Sequence, residues 1–258
     1  MQEKITQFWN NKPCGSQTSV AESPLDYFRE TEAYRYKMMP FICDFAEFYK
    51  YRGKRILEIG IGIGCDFNEF VKQGALAYGI DASSESVEMA RRRLRAYKAE
   101  AVDLSIANAE QLPYKNNMFD AVYSFGCLHH VPNTRKAIHE AIRVCKVDGK
   151  IKLMLYNRSS IYAYLFWTYN NLRGNFPKSL EQSFWDDFES IGTKAFTENE
   201  VLAMLPNNVV VERMWCPLSG YDFMLDRSWY WQMLIKVIYD IVGSNTGFYR
   251  LIALRKTQ

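Results

Sequence analysis

The sequence predicts an α/β domain, a parallel sheet with helices on both faces, and three observations carry that reading. From Lys54 onward, short apolar runs alternate with stretches of helical spacing, the pattern of parallel strands joined by crossover helices. The first run, Arg55 to Ile59, breaks into glycines at every second position, Gly60, Gly62 and Gly64; from Cys65 a helical stretch follows, with Phe67, Phe70 and Val71 on one side. Strand, glycine loop, helix is the local reading. The second run, Ala75 to Ile80, ends in Asp81.

Glycine serves where a chain turns sharply or where its backbone must lie against a ligand, because it lacks Cβ and tolerates positive φ. A dinucleotide fingerprint, G-x-G-x-x-G, needs glycine at position 65, where Cys65 stands. No Lys-Ser/Thr pair of the phosphate-loop kind follows. Glu58, two residues before the first glycine, suits a cationic ligand better than a pyrophosphate. Asp81 lies roughly 20 residues beyond the loop, at the tip of the second strand, where an acid takes both ribose hydroxyls. It also suits the N-cap of a helix opening near Ser83 or Ser84, and the two roles are compatible.

With these residues in place, the chain resembles the class I S-adenosylmethionine-dependent methyltransferases. Glu58-Ile-Gly-Ile-Gly-Ile-Gly64 is similar to the family's first motif, and Asp81, with Ala82 beside it, to its ribose-binding acid. Asn108-Ala109-Glu110-Gln-Leu-Pro113 is similar to the adenine-contact segment, and Phe119-Asp-Ala-Val-Tyr-Ser-Phe-Gly-Cys-Leu-His-His-Val131 to the fourth strand and the loop after it. The motifs lie in order over about residues 54 to 156, and their flavour is that of the ubiquinone/menaquinone-biosynthesis-like, small-molecule branch. One departure stands out: Asn108 replaces the usual aspartate, although an amide oxygen still accepts from an adenine amino group. The resemblance implies a Rossmann-like, seven-stranded, mostly parallel sheet whose last strand is antiparallel. It implies S-adenosyl-L-methionine as cofactor, with Glu58, Gly60, Gly62, Gly64, Asp81, Ala82, Asn108, Ala109, Glu110 and Ser124 as its binding residues.

Bulk properties narrow the classes. A chain of 258 residues holds one large α/β domain with appended pieces. Hydrophobic content of 48% and charged content of 24% are those of a soluble globular protein, and a net charge of +3 does not point to nucleic acid. The basic run Arg91-Arg-Arg-Leu-Arg95 reads as a solvated helix face. Cysteines at 14, 43, 65, 127, 145 and 216 include no C-x-x-C pair, and with three histidines they offer no metal-ligand spacing. Reduced thiols, no apolar signal core and no segment long enough to span a bilayer point to a cytoplasmic enzyme.

In chain order, residues 1–53 form an N-terminal arm and a helical cap, and residues 54–258 the catalytic domain. Residues 1–23 read as polar and turn-rich, with Phe8-Trp9 docking back on the domain; the resemblance adds a second reading, an arm that closes over cofactor or acceptor as a lid. Pro24 to Met39 reads as a helix bounded by prolines, and Pro40 opens another, through to Tyr49. Tyr34, Arg35 and Tyr36 are candidates to reach cofactor or substrate. Strands fall near 55–60, 75–80, 101–106, 119–125 and 150–156, with Asp148-Gly149 as the turn into the fifth; helices fall near 65–73, 84–97 and 133–146. An aromatic insertion at about 157–195 follows strand five, and it either walls an acceptor pocket or cements an extra helix. Thr197 and Glu200 make a capping box, and Val209 to Met214 a strand. Trp229 to Val242 reads as a helix with one polar stripe, Gln232, Lys236 and Asp240. So narrow a stripe predicts burial against the domain or a second subunit, the latter making a homodimer, ahead of a membrane surface. Gly247 to Leu254 is the last strand.

Methyl transfer is an in-line displacement, so the protein's main task is to hold nucleophile and methyl carbon in line. His129 and His130, after the fourth strand, are the candidate base or orienting residues, and His139 reads as inert. Trp9, Tyr34, Tyr156, Tyr164 and Trp167 are the candidate substrate pocket, suited to a small aromatic or apolar acceptor accepting on O, N or C. Two alternatives stand beside this: a peptide or other macromolecular acceptor, and a non-catalytic cofactor-binding scaffold. The Asn/Asp-Pro-Pro-Tyr/Phe motif for base or amide amino groups is absent after the fourth strand, where Ser124-Phe-Gly-Cys127 stands.

Overall fold

The computed structural model describes residues 1–174, 177–223, 229–243 and 245–258. Strands β1 (Arg55–Ile59), β2 (Leu76–Asp81), β3 (Asp103–Ile106), β4 (Phe119–Phe125), β5 (Cys145–Tyr156), β6 (Val209–Trp215) and β7 (Tyr249–Lys256) form one sheet in the order β3-β2-β1-β4-β5-β7-β6. β1 to β5 pair in parallel, and β7 inserts antiparallel between β5 and β6. Strand order reverses between β1 and β4, so the loops at their carboxyl ends diverge and open a crevice, the place where such sheets bind ligands.

The period-two alternation of the strands feeds two cores. Ile56 of β1 and Ala121, Tyr123 and Phe125 of β4 face one; Leu57 and Ile59 of β1 and Ile151, Leu153 and Leu155 of β5 face the other. Helices α2 (Pro24–Met38), α3 (Ile42–Ala46), α4 (Cys65–Lys72) and α5 (Ser84–Tyr97) contribute to the first, and α6 (Thr134–Val144) and α9 (Glu198–Met204) to the second. The capping box of α9 forms as predicted, Thr197 accepting from the Glu200 backbone and Glu200 from that of Thr197.

Several expectations need correction. The N-terminal arm begins with a helix, α1 (Gln2–Asn11), whose buried Ile5 and partly buried Phe8 and Trp9 lie at helical spacing; these three positions in one short polar stretch are a weak periodicity. The helix expected from Pro40 to Tyr49 breaks at Glu47, at φ +53°, between α3 and a 3-10 turn at Phe48–Tyr51. Lys152 meets the chain at the break: its buried Nζ donates to the Phe45 carbonyl at 2.6 Å and pairs with Glu47, capping the last carbonyls of α3 with a cation. The Asp148-Gly149 turn is a bulge inside β5, with Asp148 at φ +60°. Arg93, expected on a solvated face, is completely buried, while Arg91, Arg92 and Arg95 are exposed as predicted.

The expected insertion carries two helices, α7 (Ile161–Arg173) and α8 (Leu180–Asp187); residues 175 and 176 within it lie outside the described residues. Helix α10 (Trp229–Val242) forms where expected but is not largely enclosed. Ile235 is buried, yet Tyr230, Met233, Val237 and Ile241 are 47–78% exposed. The domain itself therefore does not enclose this helix, and burial against a second subunit stays a separate expectation. No helix among the described residues is long and apolar enough to cross a membrane.

Candidate active site

The glycine loop turns in the left-handed region at each glycine, with φ of +80° at Gly60, +52° at Gly62 and +76° at Gly64. A Cβ on Gly60 would stand 2.3 Å from the Cys127 Cβ, so that glycine lets the β1 and β4 loops touch. A Cβ on Gly62 would meet nothing nearer than the Cys14 carbonyl oxygen at 3.7 Å, and Gly62 lines a cavity. There the backbone itself is the wall. Asp81 locks the loop: its Oδ2 accepts the Gly62 N–H at 3.0 Å and its Oδ1 the Ser83 N–H at 2.9 Å. Burial raises its pKa, opposed by those backbone donors.

The cavity measures about 410 Å³ and runs from this loop to an aromatic chamber, within the roughly 300–1,000 Å³ of small-molecule sites. Glu58 lines it, 3% exposed, and its Oε2 has no hydrogen-bond partner. Burial, reinforced by the Asp66 charge, pushes the Glu58 carboxyl well above the usual range. A buried, unsatisfied carboxylate oxygen is costly unless a ligand completes it. Asp66, by contrast, is saturated. Arg35 donates to it from Nε at 2.9 Å and from Nη2 at 2.5 Å, Tyr123 at 2.8 Å and Tyr36 at 3.3 Å.

At the other end, Tyr156, Tyr162, Phe188 and Tyr249 wall the chamber with His130 and Glu189. The Tyr156 hydroxyl donates to Glu189 Oε2 at 2.9 Å, and His130 Nε2 lies 3.4 Å from the same oxygen. His130 Nδ1 meets Thr193 Oγ1 at 3.0 Å and Ser190 Oγ at 3.1 Å, and Trp9 packs edge-on against its ring at 5.0 Å.

The structure brings Glu58, Gly60, Gly62, Asp81, Ala82 and Ala109 to the cavity's loop end. Of the remaining candidates, Trp9, Tyr34, Tyr156 and His130 also line it. Others lie elsewhere. Gly64 packs on Ala90 at the start of α4, and Ser124 donates to the Ile59 carbonyl, tying β4 to β1. The Asn108 amide oxygen accepts from the Glu110 N–H, and the Glu110 carboxylate from the Asn133 N–H, so both side chains shape their own loop. Tyr164 is half-exposed on α7, and the Trp167 indole donates to the Lys178 carbonyl within the insertion. Arg35 lines the cavity with its guanidinium committed to Asp66. Sequence reasoning passed over Asp66 and Glu189. The first is marked only by its place two residues after the last glycine, the second only as a charge closing the Phe184–Phe188 cluster.

His129 sits behind the cavity wall, fully buried, with neither ring nitrogen hydrogen-bonded. Burial, then the neighbouring His130 and Lys194 charges, holds its pKa well below 6.5. The unfolded chain therefore binds more protons than the folded one below about pH 6.5, and stability falls as pH falls, by up to about 1.4 kcal/mol per unit. Urea unfolding between about pH 7.5 and about pH 5.5 should show this slope, and His129→Phe should flatten it. Parallel profiles for the two proteins would remove His129 as the cause.

The residues present fit S-adenosylmethionine, the cofactor that the resemblance implies. Glu58 offers an unsatisfied carboxyl oxygen for an ammonium, Asp81 a carboxylate at the tip of β2 for a ribose, and Gly62 a wall free of Cβ. Comparison with known proteins agrees. Residues 57–153 match the family described as "Methyltransferase domain". Phosphoethanolamine N-methyltransferase 2 of Caenorhabditis elegans is 32% identical over 132 residues, 50% of this chain and 30% of that protein. The uncharacterized methyltransferase YcgJ of Bacillus subtilis is 34% identical over 103 residues, 39% of this chain and 40% of that protein. The chain thus spans less than half the length of either relative. Among solved structures, geranyl diphosphate C-methyltransferase of Streptomyces coelicolor A3(2), in complex with Mg2+, geranyl diphosphate and S-adenosyl-L-homocysteine, superposes with a TM-score of 0.65 at 16% identity, covering 99% of this chain and 98% of that one. Residues 57–153 are thus similar to a methyltransferase domain, and the chain has the fold of the solved methyltransferase.

Proposed function

We propose that the protein transfers a methyl group from S-adenosylmethionine to a small aromatic or apolar molecule, in the manner of the ubiquinone/menaquinone-like branch that its motifs resemble. The observation that carries this is one continuous cavity, with an unsatisfied buried Glu58 and Asp81 at one end and an aromatic chamber at the other. When bound, the cofactor supplies an electrophilic methyl group on a sulfonium. The chain does the rest. Glu58 and the glycine loop hold the aminoacyl end, Asp81 the ribose, and the segment around Ala109 the adenine. Tyr156, Phe188 and Tyr249 exclude water and fix the acceptor, so that the displacement begins from near contact.

Glu58 also gives the test a second readout. Burial and the Asp66 charge raise its pKa, and a cation bound beside it favours the carboxylate again, so binding of a cationic ligand is linked to proton release. Calorimetric titration with S-adenosylhomocysteine, in buffers of different ionisation heat, should show saturable binding with release of up to about one proton. Glu58→Gln should bind more weakly and release none. Failure of the wild-type protein to bind S-adenosylhomocysteine would sink the proposal. Transfer of label from the cofactor into small molecules of a cell extract would identify the acceptor.

A further inference from the structure

We infer that the aromatic end of the cavity is built for an amine, with the Glu189 carboxylate as the group that binds its ammonium and takes its proton. This rests on the methyl-transfer reading above. The argument begins with the charges that line the cavity. Among the described residues, Glu58, Asp66, Asp81 and Glu189 face it, with one guanidinium, that of Arg35. Asp66 and Arg35 neutralise one another, and Glu58 and Asp81 belong to the glycine loop. Glu189 is the carboxylate at the acceptor end, and among the described residues it meets the Tyr156 hydroxyl and His130 Nε2.

Its surroundings are those of a cation site. Phe188, the residue before it, meets the Tyr156 ring edge-on at 5.4 Å and the Tyr162 ring at 6.3 Å. The Tyr156 ring also stacks on Phe248 at 4.5 Å. Aromatic faces beside a carboxylate attract an ammonium by ring quadrupole and by charge together. The phenols at this end do not supply a competing base, because burial raises the pKa of Tyr156, Tyr162 and Tyr249. A carboxylate or phosphate on the acceptor would face Glu189 across a largely apolar chamber, where like charges repel strongly. The backbone at Glu189 is itself unusual. Its φ of +52° lies in the left-handed region, which a non-glycine residue keeps where its surroundings impose it. The His130 ring, fixed from behind by Ser190 and Thr193, holds the carboxylate from one side.

The proton balance is complete. An amine enters as its ammonium, and one N–H bond breaks as an O–H bond forms on Glu189 Oε2. The freed lone pair makes the N–CH3 bond while the C–S bond of the donor breaks, its electron pair staying on sulfur. Glu189, whose side chain is 37% exposed, then returns the proton to water.

The test uses the full chain saturated with S-adenosylhomocysteine and three probes of matched shape, phenylpropylamine, phenylpropanol and phenylpropanoate. By calorimetry the amine should bind at least about tenfold more tightly than the carboxylate, as expected for a paired charge against an opposed one. Glu189→Gln should erase that preference with S-adenosylhomocysteine affinity unchanged, and Glu189→Asp should restore part of it. Equal or tighter binding of the carboxylate, no binding of any probe, or a preference that survives in Glu189→Gln overturns the inference. None of these outcomes touches S-adenosylhomocysteine binding by the wild-type protein, on which the methyl-transfer reading stands separately.

Discussion

Asp81→Ala should abolish measurable binding of S-adenosylhomocysteine. A hydrogen bond to a charged group is worth about 1.5–3 kcal/mol. Two ribose hydroxyls on one carboxylate therefore represent about 3–6 kcal/mol, or a loss of roughly a hundredfold to ten-thousandfold in affinity. The substitution also frees the Gly62 and Ser83 N–H groups that Asp81 now holds, so the loop loses its clamp along with its sugar contact. Asp81→Asn separates the two effects, because the amide keeps one acceptor oxygen while losing the charge. Calorimetry gives the affinities, and circular dichroism with a thermal midpoint establishes that each variant is folded. Binding by folded Asp81→Ala within about tenfold of wild type would show that the acid does not grip the sugar.

The second large effect is expected at Arg93. Its Nε donates to the Ile63 carbonyl at 2.9 Å, Nη1 to the Phe28 carbonyl at 3.1 Å, and Nη2 to Thr31 Oγ1 at 2.7 Å and Cys65 Sγ at 3.0 Å. Glu32 pairs with it at 3.3 Å, and the guanidinium lies 4.7 Å from the centre of the Phe28 ring. One fully buried side chain thus joins α5, the α2 cap and the last turn of the glycine loop. Arg93→Met fills similar volume but strands those acceptors, and removing one partner of a buried charged network costs about 3–5 kcal/mol. For a chain of this size that lowers the thermal midpoint by about 10 °C. Arg93→Lys should rescue little, since an ammonium cannot reach acceptors spread over the α2 cap and the glycine loop. Urea unfolding of both variants measures the loss, and a change under about 1 kcal/mol for Arg93→Met would show that the network is dispensable.

Arg93 shows how a sequence misleads. In the run Arg91 to Arg95 all four arginines look alike, and three of them are indeed solvated. What distinguishes the fourth is the set of carbonyls facing it from residues about 30 and 65 positions away, and no local pattern records those. Asn108 and Ser124 differ again: their motifs are in place, and the structure adds a backbone partner for each side chain, the Glu110 N–H and the Ile59 carbonyl, that the motif does not announce. Glu189 was invisible because its role depends on Tyr156 and His130, which reach it from other elements.

By itself, the sequence determined whatever is carried by short-range pattern. This covers the strand-and-helix alternation, the glycine turn after β1, the acid closing β2 and the capping box of α9, because periodicity, φ preference and capping are local properties of the chain. Only the tertiary structure decided which charges are buried, which aromatic rings face the cavity and which carboxylates meet a guanidinium there. Those outcomes depend on partners distant in sequence, and a burial or pairing energy exists only once both partners have been brought together.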